Sequence, residues 1–259
     1  MIVERNVMPG IPPAFPKAIL FDAYGTLFDV HAVVAAAEQM FPGRGEPLSQ
    51  LWRRKQIEYS QLRTLADPAG ARYRPFWDLT LDALRFAARA LGLALPAAAE
   101  KRLMDEYACL STYPDTVPTL RALRARKTPP KLAILSNGNP QMLDIAIKSA
   151  GMIGLFDRVL SVDTARAYKP SPAAYALGAT AFDAAPADIA FVSSNGWDVA
   201  GAGWFGYRTF WLNRTGAPFE ELDSPPAGTG AGMADLLAFL DAPPAAAKTA
   251  GRARPTPAA

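Results

Sequence analysis

Lys17-Ala18-Ile19-Leu20-Phe21-Asp22-Ala23-Tyr24-Gly25-Thr26-Leu27-Phe28-Asp29 decides how this 259-residue chain is read. It opens as a short apolar run, which suits a strand buried on both faces of a sheet. The run stops at a carboxylate, Asp22, with Gly25 and Thr26 just beyond. A strand that delivers an Asp at its carboxyl end, in a tight glycine turn, puts that side chain at the ligand crevice of an open α/β fold. An Asp can also merely turn the chain. The functional reading therefore depends on whether other strands send polar groups to the same place.

Before this stretch, residues 1–16 carry Pro9, Pro12, Pro13 and Pro16 and read as an irregular lead-in. After it, His31 to Met40 reads as a helix ended by Phe41-Pro42-Gly43-Arg44-Gly45. Helical patterns follow at Leu48–Leu65, Phe76–Leu91 and Pro96–Leu110, with a loop rich in Gly, Pro, Asp and Arg from Ala66 to Pro75. No strand pattern occurs between His31 and Thr112, so residues 33–111 read as an all-helical cap inserted after the first strand. Alternation then resumes. Helices are expected at Val117–Arg126, from Pro140 to a stop at Gly151, at Pro172–Phe182, around Trp197–Ala202 and near Met233–Leu240. Strands are expected at Lys131–Leu135, Val159–Val162, Ile189–Val192 and Arg208–Asn213. The Pro/Ala-rich residues 242–259 read as a disordered tail. This alternation predicts an α/β core, residues 17–32 and 112–241, built on a doubly wound parallel, Rossmann-like sheet.

Half of the residues are hydrophobic and a fifth are charged, the composition of a soluble globular protein. The net charge of +3 is scattered, with no basic block of the kind that binds nucleic acid. No stretch is long and apolar enough for a membrane span, and the first 16 residues lack the apolar core of a signal peptide, so a cytoplasmic location is expected. The single cysteine, Cys109, excludes an intramolecular disulfide and reads as a buried helical position. The single histidine, His31, sits at the start of a helical pattern, so acid–base work falls to Asp, Glu, Lys or Tyr.

Three further strand or loop ends join Asp22. Leu135-Ser136-Asn137-Gly138 offers a hydroxyl, an amide and backbone N–H groups at a helix start, an anion cradle. Tyr168-Lys169-Pro170 offers one ammonium. Ser193-Ser194-Asn195-Gly196-Trp197-Asp198 offers more hydrogen-bonding groups and a second carboxylate. Taken singly, Ser136 reads as a helix cap, Lys169 as a surface lysine and Asp198 as a partner of a helix dipole. Together, as Asp, Ser/Asn, Lys and Asp in that order at successive strand ends, they are hard to get by chance.

These four segments resemble the four motifs of the haloacid dehalogenase superfamily. Phe28-Asp29-Val30-His31, Leu51-Trp52-Arg53 and Trp211-Leu212-Asn213-Arg214-Thr215-Gly216 resemble its L-2-haloacid dehalogenase branch, and the likeness runs from about Lys17 to Glu221. The superfamily's phosphatases place a general acid two residues after the nucleophile, where this chain has Tyr24. Without that acid, expelling an alkoxide loses a ~10²–10⁴-fold contribution, whereas a halide leaves unprotonated. A Mg²⁺-dependent small-molecule phosphatase is therefore the alternative, and Tyr24 argues against it.

The resemblance implies that Asp22 attacks C2 of a short 2-haloacid, displacing halide with inversion, and that water then cleaves the aspartyl ester. It assigns water activation to Asp198, assisted by Lys169 and Asn195, and orientation of the carboxylates and the lysine to Thr26, Ser193 and Tyr175. Ser136 and the N–H groups near Ala23 and Tyr24 would hold the substrate carboxylate. Arg53 and Asn137 would receive the halide, and Tyr24, Ile57, Phe76 and Trp197 would surround the alkyl group. For Phe76 and Trp197, ordinary core packing is the rival reading. No cofactor or metal is implied. The implied partners are the small-molecule substrate, the halide product and a second copy in a homodimer, with neither nucleic acid nor membrane. Arg54 departs from the family pattern, in which an uncharged amide follows the arginine, and the loop Asp67–Arg72 is longer than usual.

Overall fold

The computed structural model describes residues 15–242, and the expectations for the two chain ends lie outside them. Six strands form one sheet: β1 (Ala18–Phe21), β2 (Lys131–Ser136), β3 (Arg158–Ser161), β4 (Ile189–Ser193), β5 (Arg208–Leu212) and β6 (Gly228–Gly230). Their order is β3-β2-β1-β4-β5-β6, and every neighbouring pair is parallel. β1 lies between β2 and β4 and its four residues are fully buried, which is why it reads as an unbroken apolar run. The order reverses between β1 and β4. Loops leaving these two strands diverge to opposite sides and open a crevice at their carboxyl ends.

Four helices follow β1 before the chain returns beside it: α1 (Val33–Met40), α2 (Gly45–Ala66), α3 (Phe76–Ala90) and α4 (Ala97–Ala108). Leu48, Trp52, Leu79, Leu84 and Leu103 are buried among them, each such leucine contributing about 2 kcal/mol through loss of water-exposed surface. The chain leaves and re-enters the sheet region side by side. Asp29 N–H donates to the Ser111 carbonyl at 2.8 Å, Tyr113 N–H donates to the Leu27 carbonyl at 3.3 Å, and Phe28 bridges Thr112. The return is followed by α5 (Thr116–Arg124), α6 (Pro140–Ser149), α7 (Pro172–Phe182), α8 (Gly196–Phe205) and α9 (Met233–Asp241).

Three details differ from the sequence expectation. β3 begins at Arg158, and Val162 belongs to a 3-10 turn instead of the strand. β6 was not expected: two of its three residues are glycine, a residue poor in strand propensity. Cys109 is exposed, not buried, because α4 ends at Ala108 and Cys109 caps it outside the helix.

Candidate active site

β1 ends at Phe21, and Asp22 follows directly in the crevice. Thr26 Oγ1 and Asn195 Nδ2 each donate to Asp22 Oδ2 at 2.9 Å, and Lys169 Nζ donates to Oδ1 at 3.1 Å. The Thr26 oxygen also accepts the Ser194 N–H at 2.8 Å, so the loops after β1 and β4 are tied through one hydroxyl. The turn that folds Thr26 back onto Asp22 runs through Gly25 at φ +92°, a conformation that favours glycine.

Lys169 is fully buried and makes a second ion pair, Nζ to Asp198 Oδ2, at 3.0 Å. The other Asp198 oxygen accepts the Tyr175 hydroxyl at 2.8 Å. Buried charges persist only when paired, and here one ammonium serves two carboxylates. Burial pushes the Asp198 carboxyl up, against the pull of Lys169, and Asp22 adds to the rise. Burial lowers the Lys169 ammonium, but Asp198 and Asp22 outweigh it and hold it above the ordinary lysine value. Burial also holds the Tyr175 hydroxyl well above the usual phenol range, so it remains a donor. The ammonium stands between the two carboxylates. No cluster of three or more His, Cys, Asp or Glu that could hold a metal occurs among the described residues.

Beyond Asp22, among the described residues, the backbone N–H groups of Ala23 and Tyr24 donate to no acceptor, whereas those of Asp22 and Gly25 are used. Ser136 Oγ accepts the Gly138 N–H at 3.0 Å, which leaves its own proton free to donate. Asn137 Oδ1 accepts the Lys169 N–H at 3.0 Å, so its Nδ2 is the uncommitted donor. The Tyr24 ring lies against Gly138, where an added Cβ would fall 2.7 Å from its Cε2. It also stacks on Tyr107, with centroids 5.7 Å apart, and neighbours Phe76 at 6.1 Å. Burial raises the Tyr24 hydroxyl well above the phenol range, and among the described residues no group bonds it. Such a phenol is a poor general acid.

Arg53 reaches down from α2. Its Nη2 donates to the Tyr24 carbonyl at 2.9 Å and approaches Asn195 Oδ1 at 3.5 Å, while Nη1 donates to Gln56 Oε1 at 2.8 Å. Ile57 and Trp197 flank it in a cleft of about 590 Å³ that also reaches Gly25, Asn195 and, at its mouth, His31. Phe76 is fully buried and packs between Tyr24 and Tyr168, so it walls the site from the core side.

The structure thus brings Asp22, Thr26, Lys169, Asn195, Asp198 and Tyr175 into one hydrogen-bonded group, with Arg53 joined through Asn195. Ser193 differs from its expected part: its Oγ accepts the Asn195 N–H at 3.1 Å and bonds neither carboxylate nor lysine. Arg54 is exposed and takes no part. Sequence reasoning missed Gln56 and Tyr107, whose side chains meet Arg53, and Thr80, which bonds Gln56 behind it. The available signal was the three-residue spacing of Gln56 from Arg53, which puts both on one helix face.

A parallel sheet of this order with a carboxylate after β1, a lysine between two acids and an inserted helical block defines a class of hydrolase. Residues 16–206 match the model of the haloacid dehalogenase-like hydrolases, and the chain belongs to that family. It is 48% identical over 210 residues to the (S)-2-haloacid dehalogenase of Pseudomonas sp. (strain YL), covering 81% of this chain and 88% of that one. A crystal structure of an L-2-haloacid dehalogenase superposes with a TM-score of 0.86 at 60% identity, covering 88% of this chain and all of that one. The L-2-haloacid dehalogenase from Xanthobacter autotrophicus, solved with chloropropionic acid covalently bound, superposes with a TM-score of 0.78 at 38% identity, covering 87% and 98%.

Proposed function

We propose that the protein is a hydrolase of carbon–halide bonds that converts short L-2-haloalkanoic acids to D-2-hydroxy acids. The observation that carries this reading is the Asp22–Lys169–Asp198 group, with Tyr24 where a phosphatase has its acid. Asp22 Oδ1 accepts one hydrogen bond and Oδ2 two, so Oδ1 is the freer nucleophile. It attacks C2 from the face opposite the halogen, the C–X bond breaks, and halide leaves toward Arg53 and Asn137. Water then adds to the Asp22 carboxyl carbon while Asp198 takes its proton. Charge developing on Oδ2 is met by Thr26 and Asn195, an oxyanion hole already in place. The ester C–O bond breaks at that carbon, the departing alkoxide takes the proton held on Asp198 to leave as the hydroxy acid, and the Asp22 carboxyl proton passes to solvent. Inversion set in the first step is thus retained in the product.

In this reading Ser136 and the N–H groups of Ala23 and Tyr24 grip the substrate carboxylate, and Ile57, Phe76, Trp197 and Tyr24 enclose its alkyl group. Helices α1–α4 act as a cap over residues 17–32 and 112–241. The enzyme works as a cytoplasmic homodimer. One exposed cysteine suits a reducing compartment, and Leu62, Leu65 and Trp204 expose apolar side chains around one groove, the kind of surface that a second subunit would cover. No described helix is long and apolar enough to cross a membrane.

Incubation with each enantiomer of 2-chloropropionate in the presence of EDTA tests the reading. Chloride is expected from the L form only, and Asp22→Asn should lower its release by at least ~10⁴-fold. Silence toward both enantiomers, with Mg²⁺-dependent phosphate release from simple esters, reverses it.

A further inference from the structure

Behind Arg53 lies a buried polar chain that the mechanism above does not use. Gln56 is fully buried. Its Oε1 accepts from Arg53 Nη1 at 2.8 Å and from the Tyr107 hydroxyl at 3.0 Å, and its Nε2 donates to Thr80 Oγ1 at 2.6 Å. The Thr80 hydroxyl in turn donates to the Phe76 carbonyl at 2.7 Å. That last link fixes the direction of all the others. A carbonyl can only accept, so the Thr80 proton is spent on Phe76 and the Thr80 oxygen must accept from the Gln56 amide. The amide cannot flip, and its oxygen is held facing the guanidinium and the Tyr107 proton. Residues of α2, α3 and α4 meet at this one amide. Tyr107 carries the arrangement back to the site, because its ring stacks on Tyr24.

We infer that Gln56 is a positioning residue for the leaving-group step: with Thr80 and Tyr107 it holds the Arg53 guanidinium against the departing halide and sets how well the enzyme expels chloride relative to bromide. The inference rests on the dehalogenase reading. A planar guanidinium presents its donors in a fixed fork. Anchoring Nη1 leaves Nη2 no rotation away from Tyr24 and Asn195. Preorganised donors act most on the transition state with the most concentrated developing charge. Chloride is smaller than bromide and the poorer leaving group, so a loosened Arg53 should cost chloride release more.

The test is kcat/KM for L-2-chloropropionate and L-2-bromopropionate, which reports only the steps up to halide departure. Gln56→Leu is expected to lose ~30-fold with the chloro acid and ~5-fold with the bromo acid. Thr80→Val and Tyr107→Phe, each removing one hydroxyl from the chain while keeping its packing, should raise the bromo-to-chloro ratio about threefold. Should Gln56→Leu fail to fold, these two variants decide the matter. Equal losses with both halogens in the folded variants, as lost packing alone would give, overturn the inference and leave the dehalogenase reading intact. Wild-type protein silent on both acids overturns the functional reading first, and the inference with it.

Discussion

Two of the edges along which the helical block meets the sheet domain are of unlike construction. At one, loop 67–74 is bonded to the segment leading into Lys169. Tyr73 donates to Asp163 Oδ1 at 2.6 Å, Arg166 Nη2 donates to the Gly70 carbonyl at 2.9 Å, and Thr64 Oγ1 accepts the Tyr168 N–H at 2.9 Å. Tyr73 and Tyr168 stack with centroids 4.9 Å apart. At the other edge, above Gly25 and Asn195, the polar contacts come from Arg53, one of them as long as 3.5 Å, across an open cleft. The first edge holds the lysine's backbone approach in place. The second joins the two halves through a residue whose proposed task is chemical. At these two edges stability and catalysis therefore fall to different side chains, and substitutions there can separate them.

The largest effect is expected where the two assignments coincide. Lys169→Met removes the cation shared by Asp22 and Asp198, so activity should fall ~10³-fold or more. Leaving two buried carboxylates without their partner should also cost about 3–5 kcal/mol in chemical denaturation. Arg53→Lys keeps the charge but loses the fork, and should lower kcat/KM about 100-fold with little change in Tm. If Tm falls sharply instead, the cleft edge is structural after all. The pH profile comes next. Asp198 must be anionic to take a proton from water, and burial raises its pKa to about 6. The kcat should thus decline roughly tenfold per unit below that pH, with no matching alkaline fall from Lys169 until beyond the ordinary lysine range. A flat profile down to pH 4.5 assigns the base elsewhere. The smallest effect belongs to the stapled edge: Tyr73→Phe should lose about 1–2 kcal/mol of stability while halide release stays within about twofold.

The strands β1, β2, β4 and β5 were legible because strands buried on both faces must be apolar throughout. The polar groups that end those runs were legible for the same reason, being abrupt exceptions. β6 escaped because Gly228-Thr229-Gly230 carries neither length nor propensity. Cys109 was misread because a helical pattern does not reveal where the helix stops, and one turn's difference moves a residue from core to solvent. Gln56, Thr80 and Tyr107 lie on three helices, so no local pattern joins them. Ser193 had the right address but another task, since sequence places a hydroxyl without saying which neighbour it faces. The long loop was seen, and its function as a clasp was not, because its partners Asp163 and Arg166 are about 90 residues away.

The hydrogen bond between Asn195 and Asp22 spans 173 positions of chain. Contacts of such separation form late, since the entropy of closing so large a loop must be met before they return anything. During refolding, the helices should gain their local contacts before β1 and β4 come side by side. Recovery of halide release should consequently lag behind recovery of helical circular dichroism, making the chemistry itself a clock for the last pairing in the sheet.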